Sequence, residues 1–475
     1  MKLVDMRYVA LTTVTVLFAA CSAGPNYVRP AVETPAAFKE QGNWKPAEPR
    51  ELEARGKWWE MYQDPLLSSL QEQVSVSNQN LAKAEAQYRQ ALALVQSARA
   101  GFYPTVTAGI SDTRSRASAT TVAQPSSTPV SRGVVTTHNL PFQASWVPDV
   151  WGNISRAVEA SEASAQASAG DLAAARLSAQ AALAQSYFQL RALDAQQMLL
   201  EDTVAAYDRS LKLVQNQYAA GIVAKADVVQ ATTQIRSARA QAIDLGVQRA
   251  QLEHAIALLV GKPPSALSIP RAPLAATLPP IPAAVPSALL ERRPDIAAAE
   301  RRMAQANAQI GVAKAAFFPT LTLSASAGYQ SATMADWLTM PSRFWSLGPA
   351  LAQNLFDGGL RRAQTAQAIA AYDANVAAYR QTVLAAFQQV EDNLAALHIL
   401  AEEAVEQGEA VRSAEQSLAL ALNQYKAGTV SYLNVVVAQT TALASQRAAV
   451  DLQNRHINAS VQLITALGGG WMPPH

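Results

Sequence analysis

The sequence predicts a mainly α-helical protein with a smaller β part, in which one unit, read as helix, two strands, very long helix, tight turn and helix, occurs twice. Three observations predict it: an internal repeat, two long stretches free of helix breakers, and short segments that alternate with period two. The repeat is the firmest. Asn216, Gln217, Tyr218, Ala220, Gly221, Val223, Val228, Val229, Ala231 and Thr233 recur in order and spacing as Asn423, Gln424, Tyr425, Ala427, Gly428, Val430, Val435, Val436, Ala438 and Thr440. Residues 100–107 match 315–322, and Gly152, Ile154, Arg156 and Ala157 match Gly358, Leu360, Arg362 and Ala363. Self-similarity at this span marks two copies of one structural unit, roughly 62–265 and 287–470.

Within each copy the elements follow in order. Residues 66–100 and 286–316 are rich in Ala, Gln, Glu and Arg without an internal breaker, which predicts helices stopped by Pro104 and Pro319. Strands are expected at about 104–116, 134–149, 319–331 and 343–355. Leu321, Leu323, Ala325, Ala327 and Tyr329 alternate with Thr320, Thr322, Ser324, Ser326, Gly328 and Gln330, and Trp345, Leu347 and Leu351 alternate with Ser346, Gly348 and Ala352. In the first copy Val106, Ala108 and Ile110 alternate until charges intervene, and Leu140, Phe142, Ala144 and Trp146 alternate on the return. Beyond Gly152 and Gly358 only the isolated Gly170 and Gly408 interrupt helical sequence before Gly221 and Gly428. Such helices reach on the order of 100 Å at about 1.5 Å per residue. Tyr207, Leu211, Val214 and Tyr218, and likewise Ala414, Leu418, Ala421 and Tyr425, step by four, three and four, the seam of coiled-coil packing. Residues 227–260 and 434–467 return alongside. The first copy is longer only in the Ser/Thr-rich segment 115–132, a surface loop.

The chain opens as an export signal: Lys2 and Arg7 precede an apolar run too short to span a bilayer, ending in small residues, so 1–20 is a signal peptide. Cys21 is the single cysteine, which excludes an internal disulfide. A net charge of +2 with no basic tract argues against nucleic acid as a partner. No later stretch is apolar and long enough for a membrane helix, so any span is made of strands. Four strands cannot close a barrel and open edges are forbidden in lipid. Two chains give about eight strands and a filled bore; three give about twelve and a water-filled lumen, so transport calls for a homotrimer. Trp146, Tyr329, Phe344 and Trp345 suit interfacial belts or packing between strand and helix equally.

Several stretches resemble a known family. Leu17, Phe18, Ala19, Ala20 and Cys21 resemble the bacterial lipobox, which implies lipidation of Cys21, and Ser22 in place of an Asp implies outer-membrane sorting. Gly24 to Pro30 (GPNYVRP), Trp58 and Trp59 with Asp64, Pro65 and Leu66, and 286–300 running into 307–328 are similar to the TolC-like outer-membrane efflux proteins, in the lipoprotein branch that serves tripartite RND pumps. The resemblance covers essentially the whole chain. It implies a trimer with a shared 12-stranded β-barrel in the outer membrane and an α-helical barrel crossing the periplasm. The partners it implies are a periplasmic adaptor, an inner-membrane RND pump and outer-membrane lipid, and no cofactor is expected besides the lipid on Cys21. Residues 21–61, the proline-rich 266–286 and the tail 471–475 fall outside the two copies, and the segment 263–286 with the chain ends forms a collar in this scheme. The resemblance places Tyr218, Gly221, Lys225 and Asp227, and Tyr425 and Gly428, at the periplasmic tips where the adaptor binds. Tyr432, Leu433 and Asn434 are candidates for the constriction at the tip. The glycines by themselves are better accounted for as the backbone reversal between antiparallel helices.

Catalysis has little support. His138, His254, His398, His456 and His475 are scattered without metal-ligand spacing, and no nucleophile elbow, phosphate loop or GxGxxG occurs. The acid pairs Glu391/Asp392 and Glu402/Glu403 suit solvated helix faces. Two alternatives to an efflux duct are a duct for polypeptide secretion and a pore-less periplasmic coiled-coil adaptor, and the alternating strand pairs weigh against the latter.

Overall fold

The computed structural model describes residues 23–31, 35, 38–39, 57–116, 133–274 and 293–469. Cys21, the signal segment, most of the 115–132 loop, residues 275–286 of the proline-rich segment and the tail lie outside them. The order is α1 (Pro65–Ser77), α2 (Gln79–Ala100), β1 (Thr105–Ala108), β2 (Ser111–Ser115), β3 (Val135–Trp146), α3 (Asn153–Ala219), α4 (Lys225–Leu259), α5 (Pro294–Ala315), β4 (Thr320–Ser331), β5 (Arg343–Ala352), α6 (Leu360–Lys426) and α7 (Tyr432–Ala466). The corresponding long helices agree in length: α3 and α6 have 67 residues each, α4 and α7 have 35 each. No described helix is long and apolar enough to cross a membrane.

Two local features differ from the sequence expectation. The helix expected over 66–100 breaks at Asn78, whose backbone is extended (ψ 121°). Its side chain accepts from the amides of Asn80 and Leu81 at 2.9 and 3.1 Å and donates to the Leu259 carbonyl at 2.7 Å. The break therefore caps a new helix and satisfies the end of α4, a long-range partner no local pattern reveals. The first strand path is interrupted at Gly109 and Ile110, opposite Pro141 and Leu140, although its register on β3 is the same on both sides. Gly109 donates to the Pro141 carbonyl at 3.0 Å, and proline has no N–H to return. The path then continues through Asp112 and Arg114 to Ser115.

Contacts divide the chain into two units, 1–30, 89–167 and 300–378 in the first and 31–88, 168–299 and 379–475 in the second. The first unit carries the sheet, antiparallel throughout, in the order β1/β2, β3, β4, β5. Gly328 sits opposite Pro141, where any Cβ would come within 2.1 Å of the Leu140 carbonyl oxygen. The second unit is helical around a core of Trp58, Trp59, Tyr62, Leu67, Leu70, Val74, Leu183, Tyr187, Phe188, Ile256 and Val461. Asp64 starts α1 there, accepting from the amides of Leu66 and Leu67, with Pro65 at the first helical position. The same carboxylate accepts from the Tyr187 hydroxyl at 2.5 Å.

Candidate functional site

Two regions carry the expected activity. In the sheet, cross-strand partners share a face. Val106, Ala144, Ala325 and Leu347 form one row; Ala108, Phe142, Ala327 and Trp345 the next; Trp146, Leu323 and Pro349 another, with Leu321 and Leu351 below and Leu140 and Tyr329 above. That face is apolar over about 26 Å along β4, at roughly 3.3 Å per residue. The opposite face reads Thr105, Thr107, Gln143, Ser145, Thr320, Thr322, Ser324, Ser326 and Gln330. Phe344 lies on the polar side and Trp345 on the apolar side. The outer edges of β1/β2 and β5 pair with no described strand. In the connector after β5, Leu355 and Phe356 are each 91% exposed, an apolar pair open to solvent.

The second region is the pair of turns joining α3 to α4 and α6 to α7. At the first, the Gly221 amide donates to the Tyr218 carbonyl at 2.9 Å and the Ile222 amide to the Gln217 carbonyl at 2.9 Å. At the second, Gly428 donates to Tyr425 and Thr429 to Gln424, both at 3.0 Å. This is a Schellman closure in both turns, with glycine at φ 74° in each. A Cβ at either glycine would meet nothing within 4 Å, so the requirement is the left-handed backbone and not space.

Behind the turns the side chains diverge. Tyr425 and Tyr432 meet edge to face, centroids 5.3 Å apart, in a cluster with Val214, Ala231, Val435 and Val436. They are 4% and 2% exposed, whereas Tyr218, the counterpart of Tyr425, is 46% exposed. Lys225, the counterpart of Tyr432, is exposed. Of the constriction candidates, Tyr432 is thus internal packing of its own chain, while Leu433 is 53% exposed and Asn434 is exposed. Burial raises the Tyr432 phenol to about 12, helped by Tyr425, Tyr207 and the Asp227 carboxylate. Burial and Asp227 also raise Tyr425. The Tyr425 hydroxyl is buried without a hydrogen-bond partner among the described residues. Asp227 lies in the first turn of α4, where the helix dipole favours a negative charge.

Sequence reasoning missed two arrangements. Asp194, fully buried, takes Arg191 at 3.0 Å and Arg249 at 2.7 Å, and Arg249 continues to Glu253 at 2.6 Å. The arginines also donate to the carbonyls of Pro270 and Ile269, and the Ala272 amide donates to Asp194 at 3.2 Å. The network holds the start of the segment after α4 to the helices. Its sequence signals are an Arg–Asp pair three apart and an Arg–Glu pair four apart, both commonplace on helix surfaces. The second is the seat of residues just after Cys21. Ala23 donates to the Trp151 carbonyl at 3.2 Å, and Arg156 reaches the Ala23 carbonyl, Asn26 and Glu159. A Cβ on Gly24 would come within 2.5 Å of the Gly311 Cα, so the two glycines let the segment after Cys21 and helix α5 touch. GPNYVRP was recognisable as a motif, but not as a clamp.

No group of His, Cys, Asp and Glu suited to a metal ion occurs among the described residues. The model of the family described as outer membrane efflux protein matches residues 70–262 and 285–469. The chain is 30% identical over 468 residues to the pyoverdine export outer membrane protein OpmQ of Pseudomonas aeruginosa, spanning 98% of each. It is 30% identical over 466 residues to the toluene efflux pump outer membrane protein TtgF of Pseudomonas putida, spanning 96% of this chain and 95% of the relative. Among solved structures, the outer-membrane channel OprN superposes with a TM-score of 0.87 at 29% identity, covering 95% of this chain and all of OprN. With an amphipathic sheet, paired long-helix hairpins and a family match over most of its length, the chain belongs to the outer membrane efflux proteins.

Proposed function

We propose that three copies of the chain assemble into a passive exit duct through the outer membrane, the outlet of a tripartite RND-type pump for small toxic compounds. The observation that carries this is the sheet: one face apolar, the other polar, both edges unpaired. Pooling three such sheets gives about twelve strands, lipid outside and water inside, and removes every edge. The exposed Leu355 and Phe356 supply apolar surface for a neighbouring copy beside that edge. The helical hairpins of the three copies line the periplasmic passage, with Tyr218, Gly221, Lys225, Asp227 and Gly428 at the adaptor-facing tips, Tyr425 packed behind them and Leu433 and Asn434 towards its narrowest point. The relatives named for pyoverdine and for toluene favour small molecules over polypeptides, and their difference suits a duct that selects little. Cys21, two residues before the clamped Ala23, is the expected lipid anchor.

Single-channel recording of the purified protein tests the duct. The expected result is a small conductance that rises in Leu433→Ala; no conductance in either sinks the proposal. Intact-mass measurement tests the anchor: acyl mass present in the wild type and absent in Cys21→Ser, with the oligomer retained. Susceptibility of a deletion strain to a compound panel then identifies cargo.

A further inference from the structure

The apolar face of the sheet ends in charge at the side away from the helices. Its last apolar row is Leu140 and Tyr329, and Arg343 pairs with Tyr329 in that same row. One pair further, His138 faces Asp112 on one side and Ser331 on the other, and one pair beyond that Arg114 faces Thr136. All lie on the apolar face by alternation. Arg114 is therefore about 13 Å beyond the Arg343 row along the strands, at roughly 3.3 Å per residue. The headgroup layer of a bilayer leaflet is about 5–8 Å deep, so the two arginines bracket it.

The acids nearby are engaged within the chain. Asp112 lies 3.5 Å from the His138 Nδ1. Asp336 accepts from the Thr333 hydroxyl at 2.7 Å, and its carbonyl accepts from Thr339 and Ser342. By contrast Arg114, Arg116 and Arg343 are exposed and have no carboxylate partner among the described residues; Arg343 donates to the Met340 sulfur at 3.8 Å. The loop between β4 and β5 folds back here, with Trp337 against His138 at 5.8 Å between centroids. Its indole N–H is buried with no acceptor among the described residues, while Met334, Leu338 and Met340 project into solvent.

We propose that this rim is a docking ledge for lipid headgroups with a net-negative phosphate, with Arg114, Arg116 and Arg343 binding phosphate above the apolar rows that end at Leu140 and Tyr329. It rests on the apolar face being the lipid face. A ledge of this kind fixes how deep the barrel sits, because arginines at the headgroup level and apolar residues beneath cannot both be satisfied at another depth.

The test compares wild type with Arg114→Gln/Arg116→Gln/Arg343→Gln in mixed micelles, measuring lipid phosphorus retained through gel filtration with phosphatidic acid or phosphatidylcholine as the probe lipid. The wild type is expected to prefer phosphatidic acid by about tenfold or more, given a several-fold gain per cation near an anionic surface. The Gln variant should lose that preference and the matching triple Lys variant keep most of it. No preference in the wild type, or an undiminished one in the Gln variant, overturns the ledge. Conductance in a neutral bilayer reports on the duct independently: a duct without lipid preference refutes only the ledge.

Discussion

The two hairpin turns share one backbone and differ in what stands behind it. Gly221 and Gly428 adopt the same φ and close the same pair of hydrogen bonds, yet the second turn sends Tyr425 and Tyr432 into a common core while the first presents Tyr218 and Lys225 to solvent. The two turns share the reversal and differ in the side chains behind it. The α6–α7 turn supplies the aromatic filling that joins the two hairpins, and the α3–α4 turn keeps the charged and half-exposed side chains available at the surface.

Truncating the filling has the largest expected effect. Tyr432→Ala opens a cavity among Val214, Ala231, Tyr425 and Val435 and should cost about 3–5 kcal/mol of tip stability. The equivalent Lys225→Ala should stay within about 0.5 kcal/mol. Hydrogen exchange at the two turns reads both. Equal losses would break the claimed division of labour. Next in size are the glycines: Gly221→Ala and Gly428→Ala each force alanine into the left-handed region and should cost about 1–2 kcal/mol, the same at both turns because neither Cβ meets a neighbour. Unequal costs would mean the two backbones are not equivalent.

Alkaline pH should separate the turns again. The Tyr432 phenol is raised from 10.0 to about 12, so the folded state holds its proton more tightly than the unfolded chain. The stability this supplies is complete below pH 10 and is lost as pH rises towards 12. The phenolate absorbance that Tyr432→Phe removes should appear only near that upper limit in the folded wild type, and at ordinary pH once the tip unfolds. A difference signal that already appears at ordinary pH in the folded protein would contradict the packed aromatic pair.

Much of this contrast was written in the residues, and part of it was not. The turns were legible because each breaker-free helix ends at a glycine, the residue that a left-handed closure requires, and because that glycine recurs in both copies. The Lys225/Tyr432 difference was visible as letters, but its meaning depends on which face of α7 meets the other hairpin, which a near-heptad seam does not specify. Tyr218 and Tyr425 hold the same seam position and end at different exposures for that reason. The second strand pair could be read from alternation alone, since every other residue of β4 is polar. The first was obscured by Asp112 and Arg114, whose charges fall beyond the apolar band and interrupt the pattern without ending the strand. The roles of Asn78 and Asp194 were invisible because the Leu259 carbonyl, Arg249 and the Ala272 amide that they bond lie far away in sequence or in irregular chain.

The smallest predicted effect concerns the exchange of an acid between the tips, Asp227 against Asn434. Both stand in the first turn of a 35-residue helix, where a carboxylate is favoured by the helix dipole by about 0.3–1 kcal/mol. Asp227→Asn should cost a few tenths of a kcal/mol at the α4 start, and Asn434→Asp should stabilise the α7 start by a similar amount. Asp227 also raises Tyr425 and Tyr432, so its neutralisation should let both phenols ionise at lower pH. Asn434→Asp adds a negative charge at the other tip without removing the first. If both substitutions leave the late phenol titration unmoved, Asp227 is only a helix-start residue, and the aromatic pair owes its protonation to burial alone.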